Sequence, residues 1–221
     1  MSRHAAAPAM TAHAAAPAMN RRAFILAAPV LLAGCSILPD RPNVPVRRYA
    51  LDPRRPTTQA APRGAPVLLQ RRMRAVPGLQ DLGLRRARPD GAYEFLPYEE
   101  WIAPPADLAD AALRAWLQAS GRFAAVVQAG TRADADFVLE SQLTVLETVP
   151  PRGSQPAEAR AAIAAVLMRE ERLSSRILGT LEATGTAPLP ANATAPQQAQ
   201  ALEAALGGAF AELEARLVLP R

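Results

Sequence analysis

The chain's only cysteine, Cys35, directly follows Leu32-Ala33-Gly34, a small-residue cleavage signature that ends an apolar run. Cleavage there would leave a thiol and a new amine on one residue, both open to acyl-chain attachment. Beyond Cys35 the chain is poor in reactive groups. Both histidines, His4 and His13, precede Met19, and lysine is absent. A Ser/His/Asp or Cys/His nucleophile needs an imidazole to take the proton, and a zinc site is usually assembled from His and Cys. Neither can be built from residues 35–221, and no disulfide can form within one chain. Two carboxylate pairs remain for acid/base work, Glu99 with Glu100 and Asp134 with Asp136. Adjacent strand residues point to opposite faces, which disfavours the first pair; Asp134 and Asp136 can share a face but read more simply as a turn entering a strand. The expectation is a protein with no catalytic residue, no metal and no cofactor.

The segment ahead of Cys35 explains what would act on it. Arg21 and Arg22 form a positive region, and residues 23–32 form an apolar stretch too short to cross a bilayer as a stable helix. The whole resembles the bacterial lipobox, which implies diacylglycerol on the Cys35 thiol and a further fatty-acyl chain, such as palmitate, on its amine. Two or more chains anchor stably where one binds only marginally. Ser36 resembles an outer-membrane address in the enterobacterial sorting rule. Asn20 to Ile25 also resembles a twin-arginine signal, and two arginines suit either export route. The heptapeptide His-Ala-Ala-Ala-Pro-Ala-Met occurs twice, at 4–10 and 13–19, and reads as a leader extension or a misplaced start. The expected division is a leader and signal peptide over 1–34, a lipidated Pro-rich tether over 35–65, and one α/β domain over 66–221.

Removing the leader removes Arg3, Arg21 and Arg22 but no acidic residue, so the formal charge falls from +5 to +2. The arginine clusters at 47–48, 54–55, 71–74 and 85–88 lack interleaved aromatics and known nucleic-acid signatures. They read as a solvated or headgroup-facing surface, and no nucleic-acid partner is expected.

The chain beyond the tether alternates strands and helices. A short extended piece at 46–51 precedes a buried strand at 67–71. Strand pieces at 84–87 and 93–96 flank Asp90-Gly91, a hairpin turn signal. Leu108, Ala109, Ala112, Leu113, Trp116 and Leu117 make one face of a helix that starts at Asp107 and stops at Gly121. A short strand at 123–128 and an alternating one over 137–145 follow. Pro150 to Ser154 turns into a segment over 159–169, and another runs over 173–184, which together make an antiparallel meander. The middle segment is alanine-rich, so 157–170 has helical composition too; its neighbours' need for a partner favours strand. A long amphipathic helix spans 196–217, where Gly207-Gly208 permits a close packing contact or a bend.

Four of the ten aromatics fall close together between 75 and 105: Tyr93, Phe95, Tyr98 and Trp101. Such residues serve either a core or a contact surface, and these four are the candidate partner-docking residues. The order of lipobox, Tyr49-Ala50-Leu51 strand, arginine-rich strand, aromatic loop, Trp101 ahead of a helix, meander and final helix resembles the ABC-type transport auxiliary lipoprotein family. Trp101-Ile102-Ala103-Pro104-Pro105 and Ala135-Asp136-Phe137-Val138-Leu139 are similar to that family's Trp-Ala-Glu-Pro-Leu-like and Ala-Asp-Tyr-x-Leu-like elements, with Pro104 where a glutamate is common. The resemblance implies a two-layer α/β (α+β) sandwich: a mainly antiparallel sheet with two amphipathic helices on one face. It also implies a non-catalytic, lipid-anchored protein at the outer membrane facing the periplasm. Its partners would be an MCE-domain protein with its permease and ATPase, and its subunits would form a homo-oligomeric ring in phospholipid transport. An assembly lipoprotein of the pilotin kind shares the anchor, tether and small domain, and differs only in partner.

Overall fold

In the computed structural model, which describes residues 44–171 and 174–220, nine strands form one sheet and two helices cover one of its faces. Cys35, Ser36 and the leader lie outside the described residues. In chain order the elements are β1 (Arg47–Tyr49), β2 (Val67–Gln70), β3 (Arg74–Ala75), β4 (Gly83–Ala87), β5 (Tyr93–Trp101), α1 (Pro105–Ala119), β6 (Ala125–Gln128), β7 (Phe137–Val149), β8 (Glu158–Glu171), β9 (Ser174–Pro188) and α2 (Ala195–Arg216). The expected start of the last strand, Leu173, also lies outside the described residues. The fold is the expected two-layer α+β sandwich.

The meander β7-β8-β9 is the spine, paired antiparallel along nearly its whole length. On the other side of β7 the chain steps forward in three short parallel pieces. Leu68 to Gln70 lie on Phe137 to Leu139, Arg74-Ala75 on Gln142-Leu143, and Arg86 on Thr148. At one end β6 extends β2; at the other β5 pairs antiparallel with β4, and β1 pairs parallel with β5. The sheet is therefore mainly antiparallel by length but parallel along its stepped side.

The alanine-rich segment is strand. Both its edges are paired, by β7 and β9, and that tertiary pairing outweighs alanine's helical preference. Alanine serves a second purpose, because Ala159, Ala161, Ala165, Ala183 and Ala187 make a low surface on which α2 lies close. At Gly185 a Cβ would sit 2.0 Å from the Ala205 carbonyl oxygen and 2.5 Å from the Ala209 nitrogen. The helix runs unbroken through Gly207-Gly208, so that pair serves close approach: a Cβ on Gly208 would come 3.4 Å from the Gly185 Cα. Between the helices Trp116 meets Phe210 edge to face, with ring centroids 5.7 Å apart.

Helix α1 begins two residues before Asp107, because Pro105 suits the first helical position with its preset φ and missing N–H. Gly121, at φ +70°, ends it as expected.

One expected boundary moves. Much of the segment assigned to the tether, from Val44 onward, is built into the domain. Leu51 is 1% exposed, Arg55 grips Glu214 of α2 at 3.0 Å, and the Gln59 N–H donates to the Ala119 carbonyl at 2.9 Å. The reason is that residues 44–61 carry the groups that close the domain's edge and the end of α1. Proline there sets extended backbone without keeping the chain away from the surface.

Candidate functional site

Neither carboxylate pair is assembled for acid/base work. Glu99 and Glu100 point apart: Glu99 turns to Arg47, and Glu100 lies 3.4 Å from the Arg48 guanidinium. The Glu99 carboxylate is 8% exposed, accepting from Arg47 Nε at 2.9 Å, from Arg47 Nη2, and from the Tyr49 hydroxyl at 2.6 Å. Burial by itself would raise its pKa, but the bonds from Arg47 and Tyr49 outweigh that and hold it below the usual carboxylate range. The Tyr49 phenol is pushed up by its own burial and by that same carboxylate. Asp136 accepts the Val67 N–H at 2.8 Å and so pins the entry of β7 to β2, while Asp134 is exposed. Glu99, Glu100 and Asp136 thus hold strands together. Among the described residues no three His, Cys, Asp or Glu side chains gather as a metal site would require.

The strand expected at 93–96 runs on to Trp101, so all four aromatic candidates lie on β5, and the structure divides them. Trp101 is 1% exposed and sits in the core beside α1, so it is removed from the docking set. Its register partner Tyr49 also packs against that core, which turns Trp101 inward. Tyr93, Phe95 and Tyr98 are exposed at 56, 41 and 53%. Phe95 pairs with Arg85 and Tyr93 with Ala87, which places both rings on the face that carries no helix, since the neighbouring Leu84 and Leu96 face the core.

Tyr93 has a rigid support that the sequence did not disclose. The Arg85 guanidinium stacks 4.2 Å from its ring centroid and bonds Glu147 of β7 at 2.7 Å. Arg85 and Glu147 are only 8 and 9% exposed, so this member of an arginine cluster is a buried ion pair. Its strength cannot be read from the Coulomb attraction alone, because both ions lost their hydration. Its geometric effect is to fix the ring above it. No spacing in the sequence links Arg85 to Glu147; only β4 landing on β7 does.

Tyr98 sits in a bulge. Between the Phe95–Arg85 and Glu100–Gly83 pairs, β5 carries more residues than β4, and Tyr98 takes φ +62°. A bulky L-residue rarely adopts that left-handed conformation, which costs it roughly 1–2 kcal/mol. Strain of this kind held under an exposed aromatic is a pointer to function.

Away from β5, a groove of about 590 Å³ lies between Pro53-Arg54 and α2, with Trp116, Gly207 and Ala211 in its wall. Glu203 lines it, and burial, then the nearby Asp52, raises its pKa against the opposing charge of Arg54.

No family model matches the chain, and no curated protein matches it. Solved structures do. The protein XCC0632 from Xanthomonas campestris, described as belonging to the family model DUF330, superposes with a TM-score of 0.64 at 21% identity, covering 76% of this chain and 92% of its own. A second solved structure, of an uncharacterized protein, gives a TM-score of 0.53 at 15% identity over 79% of this chain and all of the other. At these identities the likeness establishes the fold: the two-layer arrangement seen here is one that other chains adopt over nearly their whole length.

Proposed function

We propose that this protein is a non-catalytic lipoprotein of the bacterial envelope, anchored at the outer membrane through an acylated Cys35. In this reading it serves as the auxiliary component of an MCE-type ABC transporter that moves phospholipid between the two membranes. The observation that carries the docking part is the strand β5, which presents Tyr93, Phe95 and Tyr98 to solvent from a rigid sheet, with Tyr93 braced on the buried Arg85–Glu147 pair. Exposed aromatics that are already ordered lose little entropy on binding, and such residues dominate the energy of protein interfaces. The MCE-domain protein as occupant, with permease and ATPase behind it, rests on the sequence resemblance and on the lipobox. The protein itself moves no bond in this role; it holds the far end of the conduit at the membrane that receives or supplies lipid.

The test is affinity capture from detergent-solubilised membranes of cells expressing a tagged chain with Cys35 intact, beside the double variant Tyr93→Ala/Phe95→Ala. Capture of an MCE-domain protein, its permease and its ATPase by the first and not by the second is the expected result. Capture of a secretin or another envelope assembly without those three would replace this reading with the pilotin-like one.

A further inference from the structure

The groove between Pro53-Arg54 and α2 holds a carboxylate without a counter-ion. Its floor is one face of the helix, where Ala204, Gly207, Gly208 and Ala211 recur at helical spacing and present only methyl groups and backbone. Pro53 and Trp116 stand close over that floor: a Cβ on Gly207 would come 3.4 Å from the Pro53 Cβ and 3.9 Å from the Trp116 ring. Glu203 lines the same groove, one helical turn before Gly207.

The charges around this space do not balance. Arg54 is paired with Asp52, and the next arginine, Arg55, is turned to Glu214 at 3.0 Å. Among the described residues Glu203 has no ion-pair partner, so Asp52 and Glu203 share the single cation Arg54 and one negative charge is left over. A partly buried carboxylate beside apolar walls is unfavourable until a cation joins it. The raised pKa of Glu203, set by burial and then by Asp52, reports the same imbalance. A space of about 590 Å³ also falls within the range of about 300–1,000 Å³ that small-molecule sites occupy.

We propose that this groove binds a small apolar organic cation, whose ammonium group pairs with Glu203 while its hydrocarbon body lies on the alanine and glycine floor beside Trp116. The hydrocarbon supplies affinity by leaving water, and the carboxylate supplies selectivity for positive charge. The groove lies on the helix-covered side of the sheet, away from Tyr93 and Phe95, so the site stands apart from the docking surface on β5 and from Cys35.

The full chain, purified in a non-ionic detergent, is titrated with three probes that share one apolar body: phenylbutylammonium, phenylbutanol and phenylbutyrate. Binding is read by calorimetry against detergent alone and by tryptophan emission, to which Trp116 contributes from the groove wall. The expected result is a single site at which the ammonium binds about tenfold more tightly than the alcohol, with the carboxylate weakest. Glu203→Gln should weaken the ammonium about tenfold and leave the alcohol unchanged. Ala204→Leu, at an exposed position on the floor, should weaken all three by filling the space. A thermal melt no lower than the parent's verifies the fold of each variant, and the order of the probes on the parent needs no variant. Equal affinity for the three probes, tighter binding of the carboxylate, or no binding to the parent overturns the proposal. Ammonium binding that survives both substitutions places the cation elsewhere and overturns it as well. Partner capture through β5 is unaffected by any of these outcomes.

Discussion

Replacing Tyr98 by glycine and by alanine separates what its ring does from what its backbone costs. Both substitutions remove the same half-exposed ring, so the packing lost with it cancels in the comparison. What remains is the backbone at φ +62°. At an ordinary strand position glycine is less stable than alanine by about 0.5–1 kcal/mol, through the entropy of the unfolded chain. At a left-handed position alanine bears the steric cost of roughly 1–2 kcal/mol that glycine escapes. The two terms oppose, and the steric one is larger, so Tyr98→Gly should be more stable than Tyr98→Ala by about 0.5–1 kcal/mol. In a thermal melt of a domain this size that is a difference of about 1–4 °C. Urea denaturation of both variants at pH 7, with a common slope, reads it directly. An alanine variant as stable as the glycine variant, or more so, would refute the left-handed bulge and with it the claim that strain is held under this ring. Both variants should lose partner capture equally, because the ring and not the backbone makes the contact.

Three further outcomes follow from other parts of the structure. Gly185→Ala puts a Cβ against the backbone of α2 and should cost about 3 kcal/mol or more, whereas Gly179→Ala meets nothing within 4 Å and should stay within about 0.5 kcal/mol of the parent, both read by urea midpoints. The Glu99 carboxyl, held below its usual range, contributes stability that is complete above the unfolded glutamate pKa and is lost as pH falls through the lower folded value; Glu214, gripped by Arg55 and Trp116, acts in the same direction. Melting temperatures from pH 7 down to 3 should fall more steeply for the parent than for Glu99→Gln, and parallel curves would remove Glu99 from the account. Glu203 has the opposite sign, since a raised carboxyl pKa penalises the fold above the unfolded value. Glu203→Gln should therefore raise the melting temperature at pH 7, with the gain disappearing below the unfolded pKa.

Much of the fold was legible because short-range patterns carry it. The stripe from Leu108 to Leu117 has helical spacing and is α1; the alternation from Phe137 to Val145 is β7; Asp90-Gly91 turns β4 into β5. The alanine-rich β8 was harder, because alanine's own preference opposes its place between two strands. The stepped parallel edge of β2, β3 and β4 on β7 was not legible at all. Its partners lie roughly 60–70 residues apart, and nothing in either segment's composition names the other. The docking set shows the same limit: Tyr93, Phe95, Tyr98 and Trp101 are alike as residue types, and only the arrival of β1 and α1 turned Trp101 into core.

The sequence by itself determined the lone thiol after Leu32-Ala33-Gly34, a chain beyond it without imidazole or lysine, and the local periods of its helices and long strands. These are properties of residue type and of neighbours a few positions apart, and they survive in any fold. The tertiary structure alone decided that Arg85 is buried on Glu147 under Tyr93, that Tyr98 is held in a left-handed bulge, and that residues 44–61 belong to the domain. Each depends on which distant segment comes to cover a given face, and burial is a property of that pair of surfaces, not of either stretch of chain.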